Sequence, residues 1–306
     1  MKRSLAAAAA TSLLLLTACG DDTTTADRTT TTGDTTSTTA EAPERIVSLS
    51  ASATEMLFAI GAGDQVVAVD DNSNYPPEAP TTDLSAYDPN VEAISNYEPD
   101  LVVLDASDPD LIAGLEKVGI DVFEAPAAKT LEDTYDQIAE LGEATGHADE
   151  AQELVTSMQA DVEEILADAP TLDEPLSIYH ELDDTLYSVT SDTFLGDLYR
   201  SVGLVNVADA ADAEGQSGGY PQLSAEYLID ADPDLVFLAD SKCCAQTPET
   251  FAARPGFAEL SAVTSGQVIL LDDDVASRWG PRVVDLLRQI VDAVNAAADG
   301  EEAAAA

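Results

Sequence analysis

The chain has 306 residues, with 59 acidic against 12 basic side chains and a formal net charge of -47 at pH 7. Such a body repels nucleic acid and anionic lipid, so neither is expected as a partner of its folded surface. A uniformly acidic, lysine-poor surface is also what solubility in high salt favours, so the charge does not by itself require a basic partner.

Lys2 and Arg3 form a positive leader, and the run from Leu5 to Leu16 is apolar or small throughout. A hydrocarbon core needs roughly 20 such residues, so this shorter run reads as the apolar region of a signal peptide. It closes on Leu16-Thr17-Ala18-Cys19, which resembles the lipobox of bacterial lipoproteins. The resemblance implies removal of residues 1–18 and a diacylated Cys19 as the first mature residue. Residues 20–43 are Thr, Asp and Ala with almost no large apolar side chains. They cannot bury enough surface to offset their ordering entropy and are expected to form a disordered tether reaching roughly 25–30 Å. No later stretch is long and apolar enough to cross a bilayer, so the lipid is the expected anchor.

The sequence from 44 to 298 exceeds a typical single core and predicts two lobes. Arg45 to Leu49 reads as a strand. Ser52-Ala53-Thr54-Glu55 has the form of a capping box opening a helix to Ile60. Gly61 to Gly63 stops that helix, and Gln65 to Val69 is the next strand. An internal repeat follows: residues 91–105 align without a gap on residues 225–239. Each copy carries an acidic residue (Glu92, Glu226), then Pro99-Asp100 or Pro233-Asp234, then an apolar run. The pattern predicts a short helix, a turn, and a strand buried on both faces of a parallel sheet. Between the copies, Leu154, Met158, Val162, Ile165 and Leu166 recur at helical spacing. Residues 130–170 are therefore expected to be mainly one long helix joining the lobes, broken only near Gly142 to Gly146. In the second half, Leu176 to His180 and Leu204 to Val207 read as strands, and Thr193 to Ser201 as a helix stopped by Gly203. Pro281 at the first helical position opens a last helix, Arg282 to Ala298. Alternating strands and helices make both halves α/β. The expected division is an N-terminal lobe over 44–129, the linking helix over 130–170, and a C-terminal lobe over 171–306 that ends in an acidic, alanine-rich tail.

Catalytic signatures are missing. His147 and His180 lie in no metal-binding motif, and there is no nucleophile elbow, P-loop or complete dinucleotide fingerprint. Among 59 acidic residues a pair of carboxylates carries no information. No enzymatic activity and no intrinsic cofactor or metal site is expected. Cys243 and Cys244 are adjacent, so they match neither a zinc spacing nor a C-x-x-C motif; a vicinal disulfide and a pair of thiols are both compatible with the sequence.

Arg45-Ile46-Val47-Ser48-Leu49, Ala53-Thr54-Glu55-Met56-Leu57 and Ile60-Gly61-Ala62-Gly63 resemble the opening of the class III solute-binding proteins of ABC importers. Those proteins serve the uptake of vitamin B12, ferric siderophores and haem. Asn74-Tyr75-Pro76-Pro77, Pro99-Asp100-Leu101-Val102 and Gly280-Pro281-Arg282 match later landmarks of that family in the same order. The resemblance implies two Rossmann-like lobes joined by a rigid helix, with a ligand cleft between them and little hinge motion. It implies that Glu92 and Glu226 dock onto a permease dimer driven by its ATPase, with the binding protein acting as a monomer. It places Tyr75, Tyr87, His180, Tyr187, Tyr220, Arg278 and Trp279 on the strand ends and loops that border the cleft. Flat aromatic walls suit a large chelate, and the shortage of cations there tilts the expectation from anionic siderophores toward a near-neutral corrinoid. Haem or a bare divalent ion on the same scaffold, and an extracellular enzyme, are the competing expectations. A bare ion usually draws on several histidines and carboxylates, which two distant histidines fit poorly.

Overall fold

The computed structural model describes residues 42–105 and 109–305, and side chains as far as Asp299. The leader, Cys19 and all but the end of the expected tether lie outside the described residues.

Five strands form the N-terminal sheet: β1 (Ile46–Ser48), β2 (Val66–Asp70), β3 (Thr81–Leu84), β4 (Leu101–Leu104) and β5 (Asp121–Glu124). They are parallel throughout, in the order β3-β2-β1-β4-β5. Helices α1 (Ala51–Ala59), α2 (Val91–Ser95) and α3 (Pro109–Lys117) make the crossovers, and α4 (Leu131–Thr145) and α5 (Ala148–Ala167) lead to the second lobe. There β6 (Ser177–Glu181), β7 (Val205–Asn206), β8 (Leu235–Leu238) and β9 (Val268–Leu270) form a second parallel sheet, ordered β7-β6-β8-β9. Its helices are α6 (Phe194–Ser201), α7 (Ala225–Ala231), α8 (Ser241–Cys244), α9 (Pro248–Ala252), α10 (Ser261–Thr264) and α11 (Asp273–Ala276); α12 (Val283–Ala305) ends the chain. In each sheet the first strand sits between the next one in sequence and the apolar strand of the repeat. Strand order reverses there, and the crevice outside the carboxyl ends of such strands is where open α/β sheets bind ligands.

The repeat extends to atomic detail. Asn90 and Ser224 cap α2 and α7, each accepting a backbone hydrogen bond from the third residue on. Glu98 and Asp232, at matching places, both take the left-handed conformation, with φ of +50° and +43°. The Asp100 carboxylate then accepts from the amides of Glu44 and Arg45 at 2.9 and 3.0 Å. Asp234 accepts from the amide and hydroxyl of Ser177 at 2.8 and 2.7 Å. The Pro-Asp pair is thus a clip that ties the start of β4 to that of β1, and the start of β8 to that of β6.

Three local expectations are corrected. Helix α1 is capped by Ser50, whose hydroxyl accepts from the Ala53 amide at 3.3 Å, because β1 ends at Ser48 and the helix follows almost at once. Ser52 and Glu55 therefore do not form a capping box. Residues 130–170, read mainly as one long helix broken near Gly142 to Gly146, are two separate helices divided at that break. Gly146, at φ +82°, ends α4, and the chain turns through His147 into α5. The last helix starts at Val283, two residues beyond Pro281.

A continuous core runs from Ile46 and Val103 in the first lobe, through Ile138, Met158 and Val162, to Ile178 and Phe237 in the second, with Leu287 and Ile290 of α12. Smaller clusters cover the outer face of each sheet, around Val47 and Val102 in one lobe and Tyr179 and Val236 in the other. Relative motion of the lobes must shear this packed interior, which resists deformation.

Helices α4 and α5 approach closely because residue 142 has no side chain: a Cβ there would stand 2.4 Å from Cβ of Ala151. Gly142→Ala is expected to cost about 1–3 kcal/mol, read as a lower urea midpoint with an unchanged slope.

Candidate ligand-binding cleft

The segment after β9 crosses from the second sheet to the first lobe and is bolted down there by charge. Glu55 on α1 is 3% exposed. It accepts from Nη1 of Arg278 at 3.0 Å, and from Nε and Nη2 of Arg282 at 2.9 and 2.5 Å. Arg278 also donates to the Asn72 carbonyl at 2.8 Å and to Oδ1 of Asn74 at 3.0 Å. Arg282 lies over the Tyr75 ring, 4.1 Å from its centre. A Cβ on Gly280 would come within 3.0 Å of Oε2 of Glu55, so a glycine is what lets the segment approach. Trp279 completes the attachment, its amide donating to Ser52 and its indole N–H to Gln137.

This bolted segment forms one wall of a cavity of about 400 Å³. The other walls are residues at or just beyond the carboxyl ends of β1, β2, β3 and β4, including Ser50, Asp70, Tyr87 and Asp105. Of the residues singled out by sequence, the cavity gathers Tyr87, Arg278 and Trp279. Tyr87 is 90% exposed and stands at the rim. Arg278 is present, but its guanidinium is spent inward on Glu55, Asp274 and the 72–74 turn. Tyr75 lines a neighbouring cavity of about 290 Å³ with Phe58 and Arg282.

On the second lobe, residues 187–190 pair with 219–222, so Tyr187 and Tyr220 share one loop corner beyond β6. Both are exposed, and neither lines the two cavities. His180 is corrected. It lies wholly within the core, with Nδ1 2.7 Å from the Tyr199 hydroxyl, so it presents nothing to a cleft. Burial holds its pKa down at about 3, and the ring is neutral.

Two groups at the strand ends of this lobe carry no readable sequence mark. Glu181, fully buried, receives both guanidinium nitrogens of Arg254 at 2.8 and 2.7 Å. Beside it Asp240 is equally buried, no donor reaches either of its carboxylate oxygens, and its carboxyl lies within hydrogen-bonding reach of Glu181. Burial, and then the charge of Glu181, push the Asp240 carboxyl up to about 7. Asp240 precedes α8, in which Cys243 and Cys244 are joined as a vicinal disulfide. The amides of Ser241, Lys242 and Cys243 all point to Asp273, while Lys242 reaches Asp272 and Asp274 at 2.8 and 2.6 Å. This turn therefore holds the second-lobe end of the crossing segment.

Glu92 and Glu226 sit in the first turns of α2 and α7. Both are exposed, and neither joins an ion pair among the described residues. Among those residues no helix is long and apolar enough to cross a membrane.

The profile of the periplasmic binding protein family matches residues 46–275. An uncharacterised ABC transporter substrate-binding lipoprotein of Bacillus subtilis is 29% identical over 261 residues, covering 82% of this chain and 80% of that one. A vitamin B12-binding protein of Vibrio cholerae is 28% identical over 255 residues, covering 81% and 87% of the two chains. The crystal structure of the periplasmic vitamin B12 binding protein of Vibrio cholerae superposes with a TM-score of 0.68 at 25% identity, over 84% of this chain and 98% of that one.

Replacing Glu55 by Ala leaves two largely buried guanidinium groups without their carboxylate. A loss of about 3–5 kcal/mol is expected, measured by denaturant unfolding, with Glu55→Gln losing less.

Asp240 binds its proton more tightly folded than unfolded, where the ordinary value is 3.8. Its contribution to stability is therefore complete below about pH 4 and is lost as the pH rises to about 7. Asp240→Asn should flatten that part of the stability profile. A variant whose unfolding midpoints fall as steeply as the wild type's over this range would refute the assignment.

Proposed function

The chain belongs to the periplasmic binding protein family, and from that premise we propose that it is the solute-binding component of an ATP-driven importer, capturing an organic metal chelate. One observation carries the reading. A roomy cavity at the carboxyl ends of a parallel sheet is rimmed by Tyr87 and walled by Trp279, the only tryptophan of the chain. Such a site offers flat aromatic contact beside polar groups, which suits a macrocycle or a folded chelate with a polar edge. The act is capture and release, with no bond-breaking step.

Of the chelates, a corrinoid is the first choice. The named vitamin B12-binding relative supports it, and so does the shortage of free cations at the cavity. Glu92 and Glu226 are the proposed contacts to a dimeric permease. Their support is that the repeat places two exposed acids on matching helices, one in each lobe. A lipid on Cys19, with the segment after it as a leash, would hold the protein outside the cell membrane and keep its concentration near the permease high.

Cyanocobalamin is expected to quench Trp279 fluorescence at micromolar concentration or below. Silence across cyanocobalamin, ferric siderophores and haemin would sink the ligand class. Glu92→Arg with Glu226→Arg should abolish uptake by cells while leaving binding in solution intact; loss of both together would point to misfolding instead.

A further inference from the structure

The floor of the cavity holds a group that nothing described so far uses. Asp70 ends β2 and is 1% exposed, yet it lines the cavity. The Ser73 amide donates to the Asp70 main-chain carbonyl at 3.2 Å, and the nearby Ser73 groups only partly offset the burial of the carboxylate, whose Oδ1 has no hydrogen-bond partner. An acceptor withdrawn from water and left unpaired costs free energy. It persists more readily where something that comes and goes supplies the missing donor. Burial also presses the Asp70 pKa upward, the response of a carboxylate short of compensation.

The charges around Asp70 sharpen what that donor is. Among the described residues, the charged side chains that line the cavity are Asp70, Asp105, Asp274 and Arg278. Arg278 is committed to Glu55, Asp274, Asn72 and Asn74. Lys242, on the second lobe, is held by Asp272 and Asp274. Arg282 is held by Glu55 and the Tyr75 ring. An incoming carboxylate would thus meet acids first and find each of these cations already paired. A neutral N–H donor meets an acceptor that lacks one.

We propose that Asp70 reads the edge of the captured chelate, accepting a hydrogen bond from a carboxamide or similar neutral donor and turning away chelates fringed with carboxylates. The proposal rests on the chelate-capture reading and narrows it: an amide-fringed corrinoid is taken, and a propionate-bearing porphyrin or a carboxylate siderophore is refused. The cause is local, since a carboxylate against Asp70 both repels it and leaves Oδ1 without a donor.

The test is calorimetry of the full chain with cyanocobalamin, with its monocarboxylic acids (one side-chain amide hydrolysed), and with haemin, at a pH where the carboxylates are ionised. Cyanocobalamin should bind the wild type, and at least one monocarboxylic isomer should bind about tenfold more weakly or worse. Asp70→Asn, which offers both a donor and an acceptor, should shrink that gap; Asp70→Ala should weaken cyanocobalamin itself by about tenfold. Equal binding of every isomer by the wild type overturns the proposal without recourse to a variant. So does a gap that survives in a folded Asp70→Asn protein. If the wild type binds haemin and not cyanocobalamin, the proposal fails while chelate capture stands. If it binds none of the probes or the ferric siderophores, chelate capture itself fails.

Discussion

Everything at the cleft depends on one buried carboxylate. Glu55 collects Arg278 and Arg282, and through them the 72–74 turn, Tyr75 and the segment that carries Trp279. Ions buried in this way are costly unless every partner is in place, so the arrangement tolerates few alternatives. That intolerance is useful here. It sets where a crossing segment from the second sheet lies against the first lobe, and hence the shape of the cavity between the segment and the strand ends. Gly280 belongs to the same device, because any side chain there would press on Glu55.

Strands β1, β2, β4, β6, β7 and β8 were legible in the sequence because their cause is local, whereas β3, β5 and β9, at sheet edges and only partly buried, carry no such apolar run. Runs such as Leu101 to Leu104 and Leu235 to Leu238 are buried on every residue, and their Pro-Asp clips recur with them. The cleft was only half legible. Glu55 reads locally as the acid of a capping box, and its actual partners lie more than two hundred residues away, where no local rule reaches. Its neighbours in the motifs Asn74-Tyr75-Pro76-Pro77 and Gly280-Pro281-Arg282 could be recognised as landmarks, but not as parts of one cluster. His180 was misplaced for a related reason. A strand end can face solvent or core, and only the packing of Tyr199 against it decides. Asp70 and Asp240 were invisible because an acidic residue among 59 has no distinguishing mark until its surroundings are known.

The excess of acid has a consequence inside the cleft as well as on the surface. With so few cations in the chain, those near the site are drawn into structural pairs: Arg278 and Arg282 with Glu55, Lys242 with Asp272 and Asp274, Arg254 with Glu181. The fold thereby uses up the charges that an anionic ligand would need. Composition would thus set a background against anions, on which the proposed local reading by Asp70 would act.

The same frame bears on delivery. Each helix of the repeat leads back toward the start of the sheet, so its first turn lies toward the strand ends where the ligand site is built. Tyr87 lines the cavity, and Glu92 follows five residues later, beyond the Asn90 cap. In the second lobe the corner that holds Tyr187 and Tyr220 precedes Ser224 and Glu226 in the same way. Acids in these first turns are favoured by the helix dipole, so docking would demand little new stabilisation of the fold. Docking through the two acids, as proposed, would need a fixed spacing between them, and the core shared by α5, α12 and both sheets resists a change in the separation of the lobes. The crossing segment is fixed at both ends in the same way, at one by Glu55 and at the other by the turn that contains the disulfide.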